Sequence, residues 1–571
     1  MVDLEKFEII ETDVLIIGAG GAGLRAAVEA SKYNLDVTVV SKELLGKAHT
    51  TMAEGGINAA LGNVDPEDNW KWHFLDTVEG GAWLNDQDLV EVLVKEAPDR
   101  IFDLEEFGAV FDRLPDGKIA QRPFGKARYR RTCYMSDYTG HEVLATLVDE
   151  VRKRGVNVLE EIFVSRLLTS NGRVTGAVSI DIKSGDFLVF KSKAIVLSTG
   201  GAGRMYKVTT NPASATGDGK ILALDAGAEV MDMEMFQFHP TTMVWPPSCR
   251  GILVTEAVRG EGGILLNAKG ERFMKRYNPK LMELAGRDAV ARANWTEIME
   301  GRGTEHGGVY LSVTHLDPEL VKTRLKTMYK QFLLAGIDIT KEPMEVSPGA
   351  HYYMGGIRIT NVKTETGVKG LFASGEETAG VHGANRLGGN SLIDTQVFGK
   401  RSGGYAAKFA KSETFRSIDL KQVEEEQKRI LSIARDKNDK IRPVRIREQL
   451  CEVMWENAGI FRDENKLNNA LSFIERAKEQ MLPKLGICDT TTWRYNKELI
   501  ETLETINLVR VAELLVRSAL IRTESRGAHY RTDCPKTDNK NWLKHIVWRL
   551  ENGVLKYRFE PVKITLEKPP Q

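Results

Sequence analysis

The sequence predicts an α/β fold that begins with a parallel β-sheet and ends in a helical region. Residues 14–17 form a short apolar run, residues 24–33 are rich in alanine, and residues 36–40 are mostly β-branched. Such runs are typical of a buried strand, a helix and a second strand, in that order. A glycine-rich turn follows the first run, so residues 12–40 predict a βαβ unit with a right-handed crossover. This unit is typical of a Rossmann-like domain.

Two further apolar runs also end in glycine. Residues 194–199 lead into Gly-Gly-Ala-Gly, and residues 370–374 lead into Gly375 and Glu376. The long stretch between these runs has its own polar motifs and helical segments. We therefore expect the first domain to be interrupted by an inserted lobe.

The character of the sequence changes at about residue 412. Residues 420–435 and 468–480 are charged and amphipathic, as surface helices are, and contain no glycine clusters. The last residues place Trp542, Trp548 and Tyr557 among charges. The expected domains are a dinucleotide-binding domain in two parts (1–234 and 351–411), an inserted capping domain (235–350), a helical domain (412–530) and a small C-terminal domain (531–571).

Composition excludes several classes of function. Lysine plus arginine total 79, as do aspartate plus glutamate, so the basic excess of a nucleic-acid-binding protein is missing. No run reaches the ~18–20 apolar residues needed to span a bilayer, and residues 1–11 are acidic and mixed, unlike a signal peptide. We expect a soluble chain, which leaves membrane attachment through partner chains open. The five cysteines are scattered, favouring a reducing compartment and neither disulfides nor a metal cluster held by this chain alone: Cys133, Cys249, Cys451, Cys488 and Cys534.

The glycine turn after the first strand predicts a dinucleotide site. In Gly18-x-Gly20-x-x-Gly23 the first glycine allows a tight turn, the second lets the backbone approach a pyrophosphate, and the third lets helix pack on strand. The helix N-terminus adds free N–H groups and partial positive charge. Alone, the pattern also fits a plain glycine turn, but the flanking strand and helix favour phosphate binding. The predicted residues are Gly18, Ala19, Gly20, Gly21, Ala22 and Gly23.

The identity of the dinucleotide is less clear from these residues. Ser41 and Lys42 occupy the end of the second strand, where NAD-binding proteins usually carry a ribose-binding carboxylate. This weakens the NAD interpretation. Glu376 and Asp218 are candidate contacts to the polyol of the cofactor, although each could equally be a solvated carboxylate beside a turn glycine.

Taken together, the motifs resemble the flavoprotein subunits of succinate dehydrogenase and fumarate reductase. The likeness runs in order through nearly the whole chain and implies that the Rossmann-like domain binds FAD. The chain departs from the family pattern at Lys47-Ala48, at Glu54, at Thr242 and in the basic loop 126–131. The motifs are Ala48-His49-Thr50, Glu54-Gly55-Gly56, His239-Pro240-Thr241, residues 255–263, Gly286-Arg287-Asp288, residues 351–356, residues 382–392 and residues 524–529.

The resemblance also implies the roles of site residues. Arg287 would transfer the proton, with Glu256 and Arg259 as its relay, although without the resemblance Arg287 would be taken for an ion-pair partner of Asp288 or Glu283. His49 would be joined covalently to the flavin; the alternative is an unattached histidine near the cofactor. The substrate-binding residues would be His239, Thr255, His351 and Arg386. The remaining cofactor-binding residues would be Ser41, Lys42, Thr50, Gly55, Gly56, Asp218, Glu376, Ser391 and Leu392. No metal site is expected.

We predict the oxidation of succinate to fumarate by hydride transfer to FAD. By resemblance, electrons would pass to a partner subunit with iron–sulfur clusters and then, through membrane anchor subunits, to quinone. The chain would then lie peripherally on the cytoplasmic side of the cell membrane. Alternatives are fumarate reduction at the same site, an L-aspartate oxidase, and a flavin-binding or assembly protein without catalytic activity.

Overall fold

A computed structural model describes residues 7–434 and 439–570. The helix predicted over 420–435 is observed over Leu420–Ala434. Residues 1–6, 435–438 and 571, which belong to that predicted helix and to the predicted domains, lie outside the described residues. The strands are β1 (Glu8–Ile17), β2 (Val37–Ser41), β3 (Ile57–Asn58), β4 (Gln121–Arg122), β5 (Thr132–Cys133), β6 (Asn157–Glu160), β7 (Ile162–Ser170), β8 (Arg173–Asp181), β9 (Phe187–Leu197), β10 (Val230–Met231), β11 (Phe236–Met243), β12 (Ile264–Leu266), β13 (Val309–Ser312), β14 (Met344–Tyr353), β15 (Gly356–Arg358), β16 (Leu371–Ala373), β17 (Thr378–Ala379), β18 (Lys544–Glu551) and β19 (Val554–Pro561). The α-helices are α1 (Gly21–Ala30), α2 (Trp70–Gly80), α3 (Gln87–Phe107), α4 (Thr139–Lys153), α5 (Asp218–Asp225), α6 (Glu256–Gly260), α7 (Met274–Tyr277), α8 (Arg287–Glu297), α9 (Pro318–Arg324), α10 (Lys326–Leu334), α11 (Asn390–Lys411), α12 (Leu420–Ala434), α13 (Pro443–Asn457), α14 (Glu464–Arg476), α15 (Lys497–Ile521) and α16 (Asn539–Trp542).

The central sheet contains the predicted βαβ unit. Strand β1 lies between β2 and β9 and is parallel to both, with Val14 opposite Val37 on one side and Ala194 on the other. Strand β6 pairs with β2, and β16 pairs in parallel with the end of β9, whereas β8 and β7 add antiparallel strands. The apolar runs of the sequence are therefore confirmed as neighbouring strands whose carboxyl ends meet at one edge.

Helices α1 and α11 pack closely together over this sheet. Nine of the ten residues of α1 are buried, as expected for a crossover helix between a sheet and another helix. The contact depends on glycine in α11, because a Cβ atom at Gly403 would lie 2.1 Å from the carbonyl oxygen of Ala26. This close approach fixes the start of α11, and with it the loop before it, relative to the glycine turn.

The inserted lobe has a sheet and a hydrophobic core of its own. Its antiparallel strands follow the order β11-β14-β13-β12, and its core combines these strands with residues of α7, α8 and α10, such as Met274, Val290 and Met328. Strands β11 and β14 connect the lobe to the remainder of the protein. They are paired antiparallel, with His239 opposite Gly349 and Gln237 opposite Tyr352.

The C-terminal region shares its core with the preceding domains. Helices α13, α14 and α15 pack in one hydrophobic cluster with Tyr206 from the first domain, with Phe236 from β11 and with Trp548 from β18. Strands β18 and β19 extend a sheet whose other members are β10, β15 and β17. Across residues 7–434 and 439–570, the helices that are long enough to cross a bilayer are too polar to do so.

Candidate active site

A long cleft opens at the carboxyl ends of β1, β2, β9 and β16, where ligands of doubly wound sheets bind. Its lining runs from the glycine turn and the end of β2 past His49 to His351 and Ser391, so the cleft is extended. The cleft therefore has room for an extended ligand such as a dinucleotide. Predicted residues that line it are Gly18, Ala19, Gly20, Gly21, Ala22, Ser41, Lys42, His49, Thr50, Asp218, His351, Glu376, Ser391 and Leu392.

The glycine turn has the conformation that phosphate binding requires. Gly18 has φ +111°, and a Cβ atom there would lie 2.2 Å from the carbonyl oxygen of Ser198. A Cβ at Gly23 would lie 1.8 Å from the carbonyl oxygen of Gly18, so this glycine permits helix and strand to touch. At Gly20 the nearest atoms lie 3.6 Å away, which leaves the backbone approachable at the start of α1. This cradle of bare backbone fits a pyrophosphate.

Three predicted cofactor residues are not among those that line the cleft. Gly23 serves the packing of α1 against β1, as described above. Gly55 lies against the ring of Phe124, where a Cβ would be 2.4 Å from the ring, and Gly56 has φ +125° beside Thr132. In each case the lack of a side chain lets a loop or helix pack close to a neighbouring segment of the chain.

Lys42 is the positive group at the end of β2. Its ammonium donates to Asp218 at 2.6 Å, to Glu504 at 2.7 Å and to Thr216 at 2.8 Å. Burial alone would lower the pKa of Lys42, but Asp218 and Glu504 more than offset this and raise its pKa, so the residue is a cation. Asp218 is therefore not the free, solvated carboxylate considered from the sequence. Glu504, which lies on α15, was not predicted as part of the site.

Three residues connect the cleft with a buried polar cluster. His49 Nδ1 lies 3.6 Å from the carboxylate of Glu376, and both residues line the cleft. The ring of His351 lies 6.3 Å from that of His49 and 5.0 Å from that of His239. His351 is thus the predicted substrate-binding residue that faces the cleft directly, while His239 lies behind it.

Two arginines that are about 100 residues apart in sequence meet at a single glutamine. Arg287 begins α8 of the inserted lobe, and Arg386 lies in the loop before α11. The Oε1 atom of Gln237 accepts hydrogen bonds from Arg386 at 3.1 Å and from Arg287 at 3.4 Å. The structure therefore places both guanidiniums in one buried site between the lobe and the dinucleotide-binding part of the chain.

Arg287 pairs with Glu256 rather than with either alternative partner. Its Nε donates to Glu256 Oε2 at 2.8 Å. The alternative partners are already engaged, since Asp288 pairs with Arg292 and Glu283 with Arg272. The third member of the predicted relay, Arg259, lies 3.7 Å from the same carboxylate oxygen. Burial would raise the pKa of Glu256, but the charges of Arg287 and Arg259 outweigh it and lower this pKa.

The cluster carries an excess of positive charge. Among the described residues, Glu256 is the carboxylate in ion-pair contact with Arg287 and Arg259, whereas Arg386 hydrogen-bonds to neutral groups, Gln237 and Ser391. Counted over these direct contacts alone, three guanidiniums and one carboxylate leave two unbalanced positive charges, while the Glu376 carboxylate acts on Arg386 from farther away. Arg386 is buried, and its Nε finds no hydrogen-bond partner within residues 7–434 and 439–570. Burial together with the charge of Arg287 lowers its pKa to about 9. A ligand with two negative charges would complete this site.

The histidines of the cluster are neutral. Burial, followed by the charges of the nearby arginines, lowers the pKa of His239 well below its ordinary value. The pKa of His351 is lowered in the same way, and its Nδ1 lies 2.8 Å from Thr210 Oγ1. Thr255 caps α6, accepting a hydrogen bond from the Ala257 N–H at 3.4 Å. Its observed contact thus positions the helix that carries Glu256 and Arg259.

Sequence reasoning missed Gln237 and Tyr352. Gln237 precedes His239 by two residues on β11, and side chains two apart on a strand share a face, so strand periodicity around the histidine could have found it. Tyr352 lines the cleft, and the guanidinium of Arg386 lies 4.5 Å from the centre of its ring. Tyr352 lies within the motif 351–356, but nothing in that motif indicates that its ring contacts an arginine.

The glycine cradle, the cleft and the cationic cluster at its end define an FAD-dependent oxidoreductase. A family described as "FAD binding domain" matches residues 13–392, and one described as "Fumarate reductase flavoprotein C-term" matches residues 447–571. The chain belongs to the succinate dehydrogenase and fumarate reductase flavoprotein family, which confirms the resemblance seen in the motifs.

Similar proteins cover the chain from end to end. A fumarate reductase (CoM/CoB) subunit from Methanothermobacter marburgensis is 52% identical over 95% of this chain and 97% of its own length. The succinate dehydrogenase flavoprotein subunit of Rickettsia conorii is 41% identical over 97% of this chain and 95% of its own. The FrdA chain of a mutant E. coli quinol fumarate reductase matches with a TM-score of 0.93 at 35% identity, covering 99% of both chains.

Proposed function

We propose that this chain interconverts succinate and fumarate in the flavoprotein subunit of a larger complex. The observation that carries the proposal is the meeting of Arg287 and Arg386 at Gln237, with two unbalanced positive charges at the end of the cleft. A four-carbon dicarboxylate carries the two opposite charges. When bound, FAD supplies the hydride acceptor or donor; residues 18–22, Ser41, Thr50, Glu376, Ser391 and Leu392 of the cleft would hold it.

Binding of the diacid falls to four residues of the cluster. Arg386 offers an Nε that has no partner in the described part of the chain, and it would bind one carboxylate with a charge-assisted hydrogen bond. The neutral imidazoles of His239 and His351 can donate hydrogen bonds without adding charge, and the Thr255 hydroxyl can donate as well. Arg386, His239 and Thr255 are buried, and His351 is half-buried at the cleft. Together they would exclude water and hold the substrate in one orientation, which is a large part of the rate acceleration of such reactions.

Proton transfer falls to Arg287. Saturating a carbon–carbon double bond requires a hydride at one carbon and a proton at the other. Once Arg287 has given its proton to the substrate it must be reprotonated, and Glu256, 2.8 Å from its Nε, is the group through which a proton would return. Arg259 extends the path from that carboxylate. In succinate oxidation the same residues would carry the proton in the opposite direction.

The physiological direction has two candidates. The motifs favour succinate oxidation, the direction expected from the sequence. Fumarate reduction is supported by one specific observation: the relative named a fumarate reductase is 52% identical, against 41% for the succinate dehydrogenase subunit from Rickettsia conorii. Because one site serves both directions, the redox partner and its potential would decide between them.

The covalent bond through His49 and the partner subunits also belong to this proposal. His49 lines the cleft beside Glu376, a position from which an imidazole can reach the cofactor. The relatives are named as subunits, which supports partner chains, and the E. coli relative is named a quinol fumarate reductase, which supports a quinone. The iron–sulfur partner and the membrane anchor subunits rest on the family resemblance. The chain would be held by these partners on the cytoplasmic side of the membrane.

The test uses the protein purified with its natural partners. Succinate oxidation and fumarate reduction would be compared for the wild type, Arg287→Lys, His49→Ser and the control Arg292→Lys, which lies on the same helix but pairs with Asp288. We expect Arg287→Lys to lose both activities while keeping FAD, and the control to keep both. We expect His49→Ser to keep bound FAD and some fumarate reduction but to lose succinate oxidation. Retained turnover in Arg287→Lys would remove the proton carrier from this scheme.

Acid denaturation separates the remaining alternatives. Flavin that stays attached to the wild-type chain after denaturation, but not to His49→Ser, would support the covalent bond and argue against an aspartate oxidase. A flavin-loaded complex that reduces no dye with succinate and oxidises none with fumarate would favour a protein without catalytic activity.

A further inference from the structure

Lys220 on α5 is completely buried and binds backbone oxygens. Its ammonium donates to the carbonyl oxygens of Glu376 at 2.9 Å and Gly200 at 3.0 Å, with that of Glu377 at 3.4 Å. Lysine is almost never fully buried unless it is paired. Here the partners are mainly carbonyl groups of two loops, one after β9 and one after β16.

A carboxylate completes this arrangement. Glu377 Oε1 lies 3.8 Å from the Lys220 ammonium, and its other oxygen accepts hydrogen bonds from the backbone N–H and the hydroxyl of Thr199. Burial lowers the pKa of Lys220, while the charges of Glu377 and Glu376 oppose that effect. The ammonium therefore sits where several oxygen atoms converge from two segments of the chain.

Both loops form the wall of the cofactor cleft. Gly200, Gly201 and Glu376 line it. The loops touch closely, because a Cβ atom at Gly201 would lie 2.2 Å from Glu376 Oε1. The same oxygen accepts the N–H of Tyr353 at 2.9 Å, and the other carboxylate oxygen faces His49. The position of the Glu376 side chain thus depends on a backbone that Lys220 holds.

We propose that Lys220 is a positioning residue of the flavin site, whose ammonium is a built-in cation that gathers the oxygens of two cleft loops. Without a cation, the converging carbonyls would be buried without a donor and would repel one another. The loops would then separate, and Glu376 would lose its place in the cleft. This role concerns cofactor binding and does not depend on the substrate or on the direction of the reaction.

The oxygen atoms of Gly200, Glu376 and Glu377 around the Lys220 ammonium form a cage, and such cages suit small monovalent cations. Added cations can therefore test whether Lys220 acts through its charge. Lys220→Ala removes the ammonium and leaves its space, whereas Lys220→Met fills the space without charge. The affinity for FAD would be measured by flavin fluorescence on apoprotein carrying His49→Ser, so that the cofactor exchanges freely. We expect the dissociation constant to rise at least about tenfold in both variants.

Rescue by added cations distinguishes an electrostatic role from simple packing. Ammonium, methylammonium or potassium should restore much of the FAD affinity of Lys220→Ala, but not that of Lys220→Met. Tetramethylammonium, which is too large for the cage, should restore neither. An equal effect of the small cations on both variants, no effect on Lys220→Ala, or near-normal FAD affinity in Lys220→Met would each overturn the proposal.

A second variant covers the case in which both replacements prevent folding. Lys220→Arg retains a positive charge and several N–H donors, so a folded chain that binds FAD is expected. A Lys220→Arg chain that is also unfolded or free of flavin would count against the proposal.

Discussion

Replacing Gln237 by glutamate tests the charge balance of the cluster directly. The substituted oxygen would lie where Gln237 Oε1 now accepts from Arg386 at 3.1 Å and from Arg287 at 3.4 Å. A carboxylate there would satisfy both guanidiniums and reduce the two unbalanced positive charges to one. The side chain keeps nearly the same shape, so the change is mainly electrostatic.

The magnitude follows from these distances. Two unit charges 3.1 Å apart attract by about 5 kcal/mol at an effective dielectric constant of ~20, and the substrate carboxylate must compete with this new pair. Because desolvation offsets much of that energy, we expect a net loss of about 1.4–4 kcal/mol in diacid binding. This corresponds to a dissociation constant about 10- to 10³-fold higher.

The assay is titration of the flavin absorbance with malonate, a saturated diacid, combined with the KM for fumarate. The substitution also removes Nε2 donors to Asn385 and to the carbonyl of Arg386, at 2.8 Å each, so thermal unfolding and FAD content must be measured as well. Gln427→Glu, a buried glutamine on α12, is the matched control and should leave malonate affinity unchanged. Diacid affinity within twofold of wild type in a folded Gln237→Glu protein would refute the assignment of the site.

Two further predictions concern stability. Asp137 accepts hydrogen bonds from the backbone N–H of Thr327 at 2.6 Å and from its hydroxyl at 2.5 Å, and so caps α10 of the inserted lobe from another part of the chain. The substitution Asp137→Ala should lower the free energy of unfolding by about 0.5–2 kcal/mol and speed hydrogen exchange at the Thr327 amide. Unchanged exchange at Thr327 would contradict this cap. For His545, burial alone would lower the pKa, but Asp232 at 2.6 Å from its Nδ1 raises it to about 10. The stabilisation from the charged form is complete below about pH 6.5, the unfolded pKa, and is lost as pH rises through 10. Denaturant unfolding should therefore show wild type losing its advantage over His545→Gln between these values, and parallel pH profiles of the two proteins would rule the ion pair out.

The local sequence pattern was sufficient to predict the βαβ unit and to recognise the motifs. The apolar run 14–17 and the β-branched run 36–40 pair as predicted because a buried parallel strand needs little beyond its own composition. Even so, β1 begins at Glu8, since its first residues pair with β9 from the opposite end of the domain. Helix α15 was not predicted. It is buried nearly all round, so its sequence lacks the amphipathic period that identifies a surface helix.

By itself, the sequence determined the dinucleotide cradle and the family, because each depends on short runs of residues with fixed spacing. It also predicted most of the polar residues that the structure brings together at the cleft and in the buried cluster. Only the tertiary structure decided which of these residues touch. Arg287 has charged neighbours within a few positions, yet its partner is Glu256, and Gln237 joins it to Arg386. Lys220 and Glu504 have no motif at all. Their roles arise from the low dielectric of the interior, where a buried charge must find oxygen or opposite charge in whichever segment the fold brings beside it.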